Sequence, residues 1–384
     1  MGMGTELIHG HGYSDGYDPI AVPIHLSTAF RFIDESECRT SDRGYPYKYS
    51  REENPTVRAF ERAMGRVEGG QCLAYCSGMA AISSVLLALI HEGARRVVVL
   101  EEMYSTTLQL VDRLREITRI DVVKVFPSTE AVVEVVREGD VVLVESVTNP
   151  TLKVIDVSAI ARACRDLGAT LVVDNTIATP VLLKPLELGA TVVVHSATKY
   201  IAGHNDALGG VASFNPSLLD PLWNWRRILG SIMDPFSAYL CLRGLKTLGV
   251  RFERQCRSAQ IVAEFLQDHP RVEEVLYPGL PSYPSYEVAK RIFRRDLFGA
   301  IVSFRVRGGL EDAKRFLRRL RIVKPAPSFG GCESLATIPA LSASRWIDAE
   351  SRRRLGITEN LVRLSIGLED PEDLVEDIDR ALGE

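Results

Sequence analysis

Residues 191–210 read TVVVHSATKYIAGHNDALGG. An apolar, β-branched run stops abruptly at His195-Ser196, and Lys199 follows between Thr198 and Tyr200, ahead of a glycine-bearing turn. A run this short and this apolar reads as a strand buried on both faces. The chain has nine lysines against 37 arginines, so a lysine at the end of such a strand is more than a spare positive charge.

The same signature recurs upstream as RRVVVL, IDVVKVF, DVVLVES and ATLVVDN, separated by helix-like stretches such as TLQLVDRLREI and VSAIARACRDLG. Strands apolar on both faces that alternate with helices predict an α/β fold, a mainly parallel sheet with helices on both faces. Ligands in such sheets bind beyond the carboxyl ends of the strands. GGVASF adds one more strand after the lysine turn. Before the alternation, PTVRAFERAMGRVEG reads as a helix with Pro55 in its first turn, and SGMAAISSVLLALI as a buried helix. Residues 1–52 read as an irregular N-terminal arm rich in Gly, Tyr, Pro, Asp and Arg. Long helices run to about Leu266. A smaller α+β unit then follows, with GAIVSFRV, a helix near EDAKRFLRRL, LVRLSIG and a last helix PEDLVEDIDRALG. The expected division is an arm over 1–52, a large domain over 53–250 and a C-terminal domain over 251–384.

Composition narrows the function classes. Of 384 residues, 46% are hydrophobic, enough for a full core, and the formal net charge is −4 with both signs interspersed. Nothing there suggests nucleic acid or an anionic membrane as a partner. The seven cysteines include no CxxC pair, which reads as a reduced, cytoplasmic protein. Cys72 and Cys76 lack a second pair at zinc spacing, so no metal site is expected. The first residues lack the apolar core of a signal peptide, and AAISSVLLALI is too short to span a bilayer.

Three strand or helix ends carry the chemistry. Lys199 either snorkels to solvent or, kept neutral in an enclosed site, bonds a carbonyl as a Schiff base; Ser196 and Thr198 beside it are donors for a phosphate. Asp174 ends TLVVDN. It is either a cap or salt-bridge partner, or the acid that pairs with a protonated pyridine nitrogen and makes the ring an electron sink. Ser77, Gly78 and Met79 open a helix whose free N–H groups attract phosphate, with glycine allowing close approach. Together these describe a site for pyridoxal 5′-phosphate (PLP).

YSREENPT (49–56), YCSGMAA (75–81), ESVTNP (145–150), VVDNTIATP (172–180), HSATKYIAGHND (195–206), RGLKTL (243–248), SFGGCESLATIPA (328–340) and LVRLSIGLED (361–370) stand in that order along the chain. On these motifs the sequence resembles the Cys/Met-metabolism (transsulfuration) family of PLP enzymes. The resemblance implies a fold type I architecture with a seven-strand-type sheet, a dimer of dimers, and an amino acid as substrate. It implies that Lys199 holds the cofactor and moves protons, and that Tyr104 stacks on the ring and assists catalysis. It also implies that Asn149 meets the 3′-oxygen, with Glu145 supporting the site from behind. Tyr49 and Arg51 would reach the phosphate of the neighbouring subunit, and Ser328 and Arg363 would clamp the substrate carboxylate. His195 and His204 read as packing or supporting residues.

The implied reaction is γ-elimination from a sulfur amino acid, methionine or homocysteine and potentially cystathionine, to a 2-oxo acid, ammonia and a thiol. The alternative is dedicated cystathionine cleavage or γ-replacement by a thiol. Pro327, immediately before SFGG, stands where cystathionine-specific members typically carry Glu. Thr106 stands where methionine-cleaving members typically carry Cys. Arg227 replaces a typical Asn or Asp, and Ser342-Ala343-Ser344 replaces Met-Thr-His. Glu333 or Glu53 could supply a carboxylate in place of one at position 327. Two other classes are a nucleotide-binding oxidoreductase, for which GxGxxG after the first strand is missing, and a cofactor-binding regulatory protein with little turnover.

Overall fold

The computed structural model describes residues 2–17 and 19–383. Seven strands form the larger sheet: β1 (Gln71–Tyr75), β2 (Arg96–Leu100), β3 (Asp121–Val125), β4 (Val141–Glu145), β5 (Thr170–Asp174), β6 (Val192–Ser196) and β7 (Gly210–Phe214). Their spatial order is β1-β7-β6-β5-β4-β2-β3. β2 to β6 are mutually parallel, and only β7 runs antiparallel to its neighbours, β1 and β6. The expected α/β class with a mainly parallel sheet is therefore the observed one. All five residues of β4 are buried, as are the valines of β2, β5 and β6. Helices pack on both faces of the sheet, and this is why those segments lack polar alternation. The one strand of this sheet that sequence reading did not anticipate is β1, Gln-Cys-Leu-Ala-Tyr, which contains no β-branched residue.

The helix starts follow local rules. Asn54 caps the helix Pro55–Glu68 by accepting from the Thr56 and Val57 amides, and Ser77 caps Gly78–His91 by accepting from the Ala80 amide. Pro55 occupies the first turn as expected.

The smaller sheet contains β8 (Val272–Leu276), β9 (Ile301–Val306), β10 (Lys324–Pro325), β11 (Leu335–Thr337) and β12 (Leu361–Ser365), in the order β10-β11-β12-β9-β8. Sequence reading gave β9 and β12, the two apolar ones. The long helix Leu248–Asp268 joins the two cores. Leu248, Phe252 and Cys256 pack into the larger core, whereas Ala259, Val262 and Leu266 pack into the smaller one. Among the described residues before 53, Leu7 and Val22 alone enter the buried apolar core. Ion pairs hold this arm instead: Arg43 to Glu61, and Arg58 to Asp42. Among the described residues, no helix is long and apolar enough to cross a membrane.

Candidate active site

Strand register places the chemistry. Glu145 on β4 is the Cα partner of Asp174 on β5, which in turn faces Val194 on β6. The carboxyl ends of β4, β5 and β6 therefore open onto one edge, and a cavity of about 270 Å³ lies there. Its walls bring together Ser77, Gly78, Met79, Tyr104, Asn149, Asp174, Ser196, Thr198, Lys199 and Arg363, spread over almost 300 residues of sequence.

One end of the cavity is the start of helix Gly78–His91. A Cβ on Gly78 would lie 2.9 Å from the Ser196 Cβ and 3.1 Å from its Oγ, so only glycine leaves room between the helix start and β6. Free N–H groups and the positive end of a fourteen-residue helix meet the Ser196 hydroxyl here.

Asp174 lines the far side. Its Oδ1 accepts from the Thr176 amide at 3.0 Å and from Thr176 Oγ1 at 2.5 Å. Both bonds fall on one oxygen, which leaves Oδ2 available to the cavity. Burial raises the Asp174 carboxyl above its usual range, against these two donors. Thr176 Oγ1 also accepts from the Ser196 amide at 2.8 Å. This threonine thus ties the acid to the phosphate-type end of the cavity, a link sequence reading missed.

Lys199 approaches from the turn after β6. Its Nζ donates to Ser328 Oγ at 2.9 Å. Burial first, and then the charge of Arg363, lower its pKa to about 8. Arg363, on β12 and 2% exposed, donates to Asn149 Oδ1 at 2.9 Å and to the carbonyl oxygens of Ser328 at 3.0 Å and Pro327 at 3.3 Å. Its Nε is buried without a partner. Burial lowers its pKa to about 10, which leaves it cationic at neutral pH. The Phe329 ring lies 5.0 Å from Lys199 Nζ and 5.3 Å from the Arg363 guanidinium carbon, so it contacts both cations. Phe329 is a second lining residue that sequence reading did not single out.

Tyr104, 45% exposed, stands at the mouth. Its amide donates to Glu145 Oε1 at 2.7 Å. His195 bonds Glu68 at 2.5 Å, both buried, and His204 Nδ1 bonds the Ala202 carbonyl at 2.7 Å. Both histidines are thus engaged away from the lysine. Tyr49 and Arg51 do not line this cavity. Tyr49 is 44% exposed, and Arg51 stacks over its ring at 5.4 Å while donating to the Arg227 carbonyl at 2.9 Å.

The donor set fits PLP: a helix start cleared by glycine for a phosphate, a half-buried acid with one free oxygen for a pyridine nitrogen, and a half-buried amine of lowered pKa for an aldehyde. Fold and site define a PLP-dependent enzyme of fold type I. The chain belongs to the Cys/Met metabolism PLP-dependent enzyme family, whose model matches residues 4–383. It is 37% identical to the L-methionine gamma-lyase of Fusobacterium nucleatum subsp. nucleatum, over 99% of this chain and 98% of that protein. It is also 37% identical to the cystathionine gamma-lyase of Dictyostelium discoideum, over 99% of this chain and 97% of that one. Among solved structures, it superposes on cystathionine gamma synthase from Xanthomonas oryzae pv. oryzae with a TM-score of 0.92, at 34% identity and with 100% and 98% of the two chains covered. These relatives are named for different reactions, so family membership leaves the particular substrate and reaction open.

Proposed function

We propose that this enzyme carries out γ-elimination on a sulfur amino acid with a single amino group, methionine or homocysteine, releasing a 2-oxo acid, ammonia and a thiol. The observation that carries the proposal is the chemistry of the outer cavity. Pro327, Phe329, Leu208 and Ala343 line it, and its acidic residues are Glu145 and Asp174, both at the sheet edge. The two carboxylates considered as replacements for one at position 327 are engaged elsewhere. Glu53 is buried against Trp223 Nε1 at 2.9 Å and Arg226 at 3.6 Å. Glu333 accepts from Asn205 Nδ2 at 2.7 Å. A second ammonium group, as in cystathionine, would meet apolar wall, whereas a methylthio tail would be well solvated by it.

In this reading PLP, when bound, supplies the electron sink that acidifies the substrate carbons. Arg363 orients the substrate through its α-carboxylate, with Ser328 beside it. The amine of Lys199, freed when substrate binds, takes the α-proton and can return it further along the chain, and its lowered pKa suits a base at neutral pH. Asp174 holds its negative charge against the ring nitrogen under the two Thr176 donors. Tyr104 gives a proton to the departing sulfur at the cavity mouth. Tyr49 and Arg51, turned away from this chain's own cavity, serve the phosphate end of a neighbouring subunit in an oligomer. Incubation with methionine, homocysteine, cystathionine and O-acyl-homoserine, each with and without added thiol and with products identified, tests the proposal. Expected are 2-oxobutyrate-type acid and free thiol from methionine; thioether formation as the dominant outcome would replace elimination by γ-replacement.

A further inference from the structure

We propose that Glu145 is a positioning residue that works as a neutral carboxylic acid, fixing the backbone of Tyr104 at the cavity mouth while leaving Asp174 as the negative charge presented to the ring. The inference rests on the reading of Asp174 and Tyr104 given above.

The geometry is a pair of carboxyl groups on adjacent parallel strands. Glu145 and Asp174 are register partners, so their Cα atoms lie about 4.8 Å apart across the ladder, and both side chains line the same cavity. Their hydrogen bonding differs. Asp174 receives two donors from Thr176. Glu145 receives the Tyr104 amide on Oε1, while its Oε2 is buried with no partner. A buried carboxylate oxygen without a donor is one of the most costly arrangements in a protein interior. A proton on Glu145 removes the charge and the repulsion from Asp174 together.

The carboxylates around Glu145 act in the same direction, opposed by the amides of Tyr104 and Asn149. Asp174 faces it from β5. Glu102, just past β2, adds negative charge, although it is tied to Lys153 Nζ at 2.7 Å and to Thr151. Glu101 is paired with Arg354. His195 on β6 is engaged by Glu68. Arg363 spends one donor on Asn149, and Lys199 points to Ser328. Burial first, and then the charge of Asp174, push the Glu145 carboxyl well above the usual carboxylate range.

The second half concerns Tyr104. It precedes the helix Ser105–Thr118 as its N-cap and makes no side-chain cap bond. Its own side chain is nearly half exposed, so packing does little to fix it. The Glu145 acceptor supplies a fixed point from a buried strand end, and the carbonyl oxygen of a neutral acid still accepts there.

Three measurements on the holoenzyme test this. The wild-type infrared spectrum at neutral pH is expected to contain the carbonyl stretch of a protonated carboxylic acid that is absent from Glu145→Gln. Glu145→Gln, which keeps the acceptor and is permanently neutral, is expected to hold kcat and KM within about threefold, with cofactor affinity and the pH dependence of the visible band unchanged. Glu145→Ala, which removes the acceptor, is expected to lower kcat about tenfold with KM little changed, as for a lost hydrogen bond to a charged or partly buried group. Absence of the carbonyl band, or Glu145→Gln as impaired as Glu145→Ala, overturns the proposal. If Glu145→Ala does not fold, the infrared band and Glu145→Gln decide alone. Failure of the underlying reading looks different: Asp174→Asn would then retain full activity.

Discussion

The Nζ of Lys199 lies 2.9 Å from the Oγ of Ser328, a residue 129 positions further along the chain. The turn after β6 carries the amine, and a loop of the smaller domain closes over it. Arg363, on β12, packs against the same loop through the Ser328 and Pro327 carbonyls. The group proposed to move protons and the group proposed to hold the substrate carboxylate are thus set by one loop, residues 327–329.

The lowered pKa of Lys199, about 8, has a direct consequence for assembly of the enzyme. Only the neutral amine attacks an aldehyde. A depressed lysine pKa enlarges the neutral fraction at pH 7 by roughly three-hundredfold relative to an ordinary lysine near 10.5. Loading of PLP onto apoenzyme is expected to accelerate as pH rises and to level off just above 8. A rate that still climbs steeply through pH 10 would show an unperturbed amine. Borohydride reduction is expected to leave the label on the Lys199 peptide.

Thr176 joins two sides of the candidate site, bonding both Asp174 Oδ1 and the Ser196 amide. Thr176→Val keeps shape but leaves the half-buried Ser196 amide without its acceptor and removes a donor from the acid, a loss of about 1–3 kcal/mol. Weakening of cofactor binding by about tenfold or more is expected in a fluorescence titration, with recovery in Thr176→Ser. Equal affinity in Thr176→Val and the natural protein would remove the link.

Arg363 is expected to act on substrate binding. Its planar fork suits a carboxylate in a way a lysine does not. Arg363→Lys should raise KM for the amino acid by about tenfold or more, from loss of a charge-assisted pair, while the visible cofactor band stays. An unchanged KM would assign the arginine to structure alone.

Tyr49 and Arg51 provide a test of a shared site. Arg51→Ala and Lys199→Ala, each inactive alone, are expected to regain part of the activity when mixed and reassembled, because some sites then receive an intact lysine and an intact arginine from different subunits. A fully active monomer in sedimentation would contradict a site built from two chains.

Much of this could be read in the sequence, and what could not has physical causes. Strands β2, β4, β5 and β6 announce themselves because a sheet covered on both faces demands apolar residues along the strand interior. β1 does not, because Gln71 to Tyr75 lacks β-branched residues. β11, Leu335–Thr337, is only three residues long inside a loop-like motif. Lys199, Asp174 and Gly78 stand out because each sits at an element end where its residue type is out of place. The double role of Thr176 stays hidden because it depends on the register of β5 against β6. The contact of Phe329 with both Lys199 and Arg363 depends on how the smaller domain is seated, which no local pattern reports. The fate of Glu53 is equally non-local: the Trp223 and Arg226 that engage it lie about 170 residues away.

The most direct test of the account compares kcat/KM for L-methionine and cystathionine in the natural protein and in Pro327→Glu. An unpaired ammonium against the apolar wall costs about 1–3 kcal/mol, or roughly ten- to a hundredfold in kcat/KM. The natural protein is expected to use methionine at least as well as cystathionine, and Pro327→Glu to shift the ratio toward cystathionine by about tenfold or more. A natural protein that already prefers cystathionine by about a hundredfold, with a ratio unmoved by the substitution, would contradict the reading of this cavity.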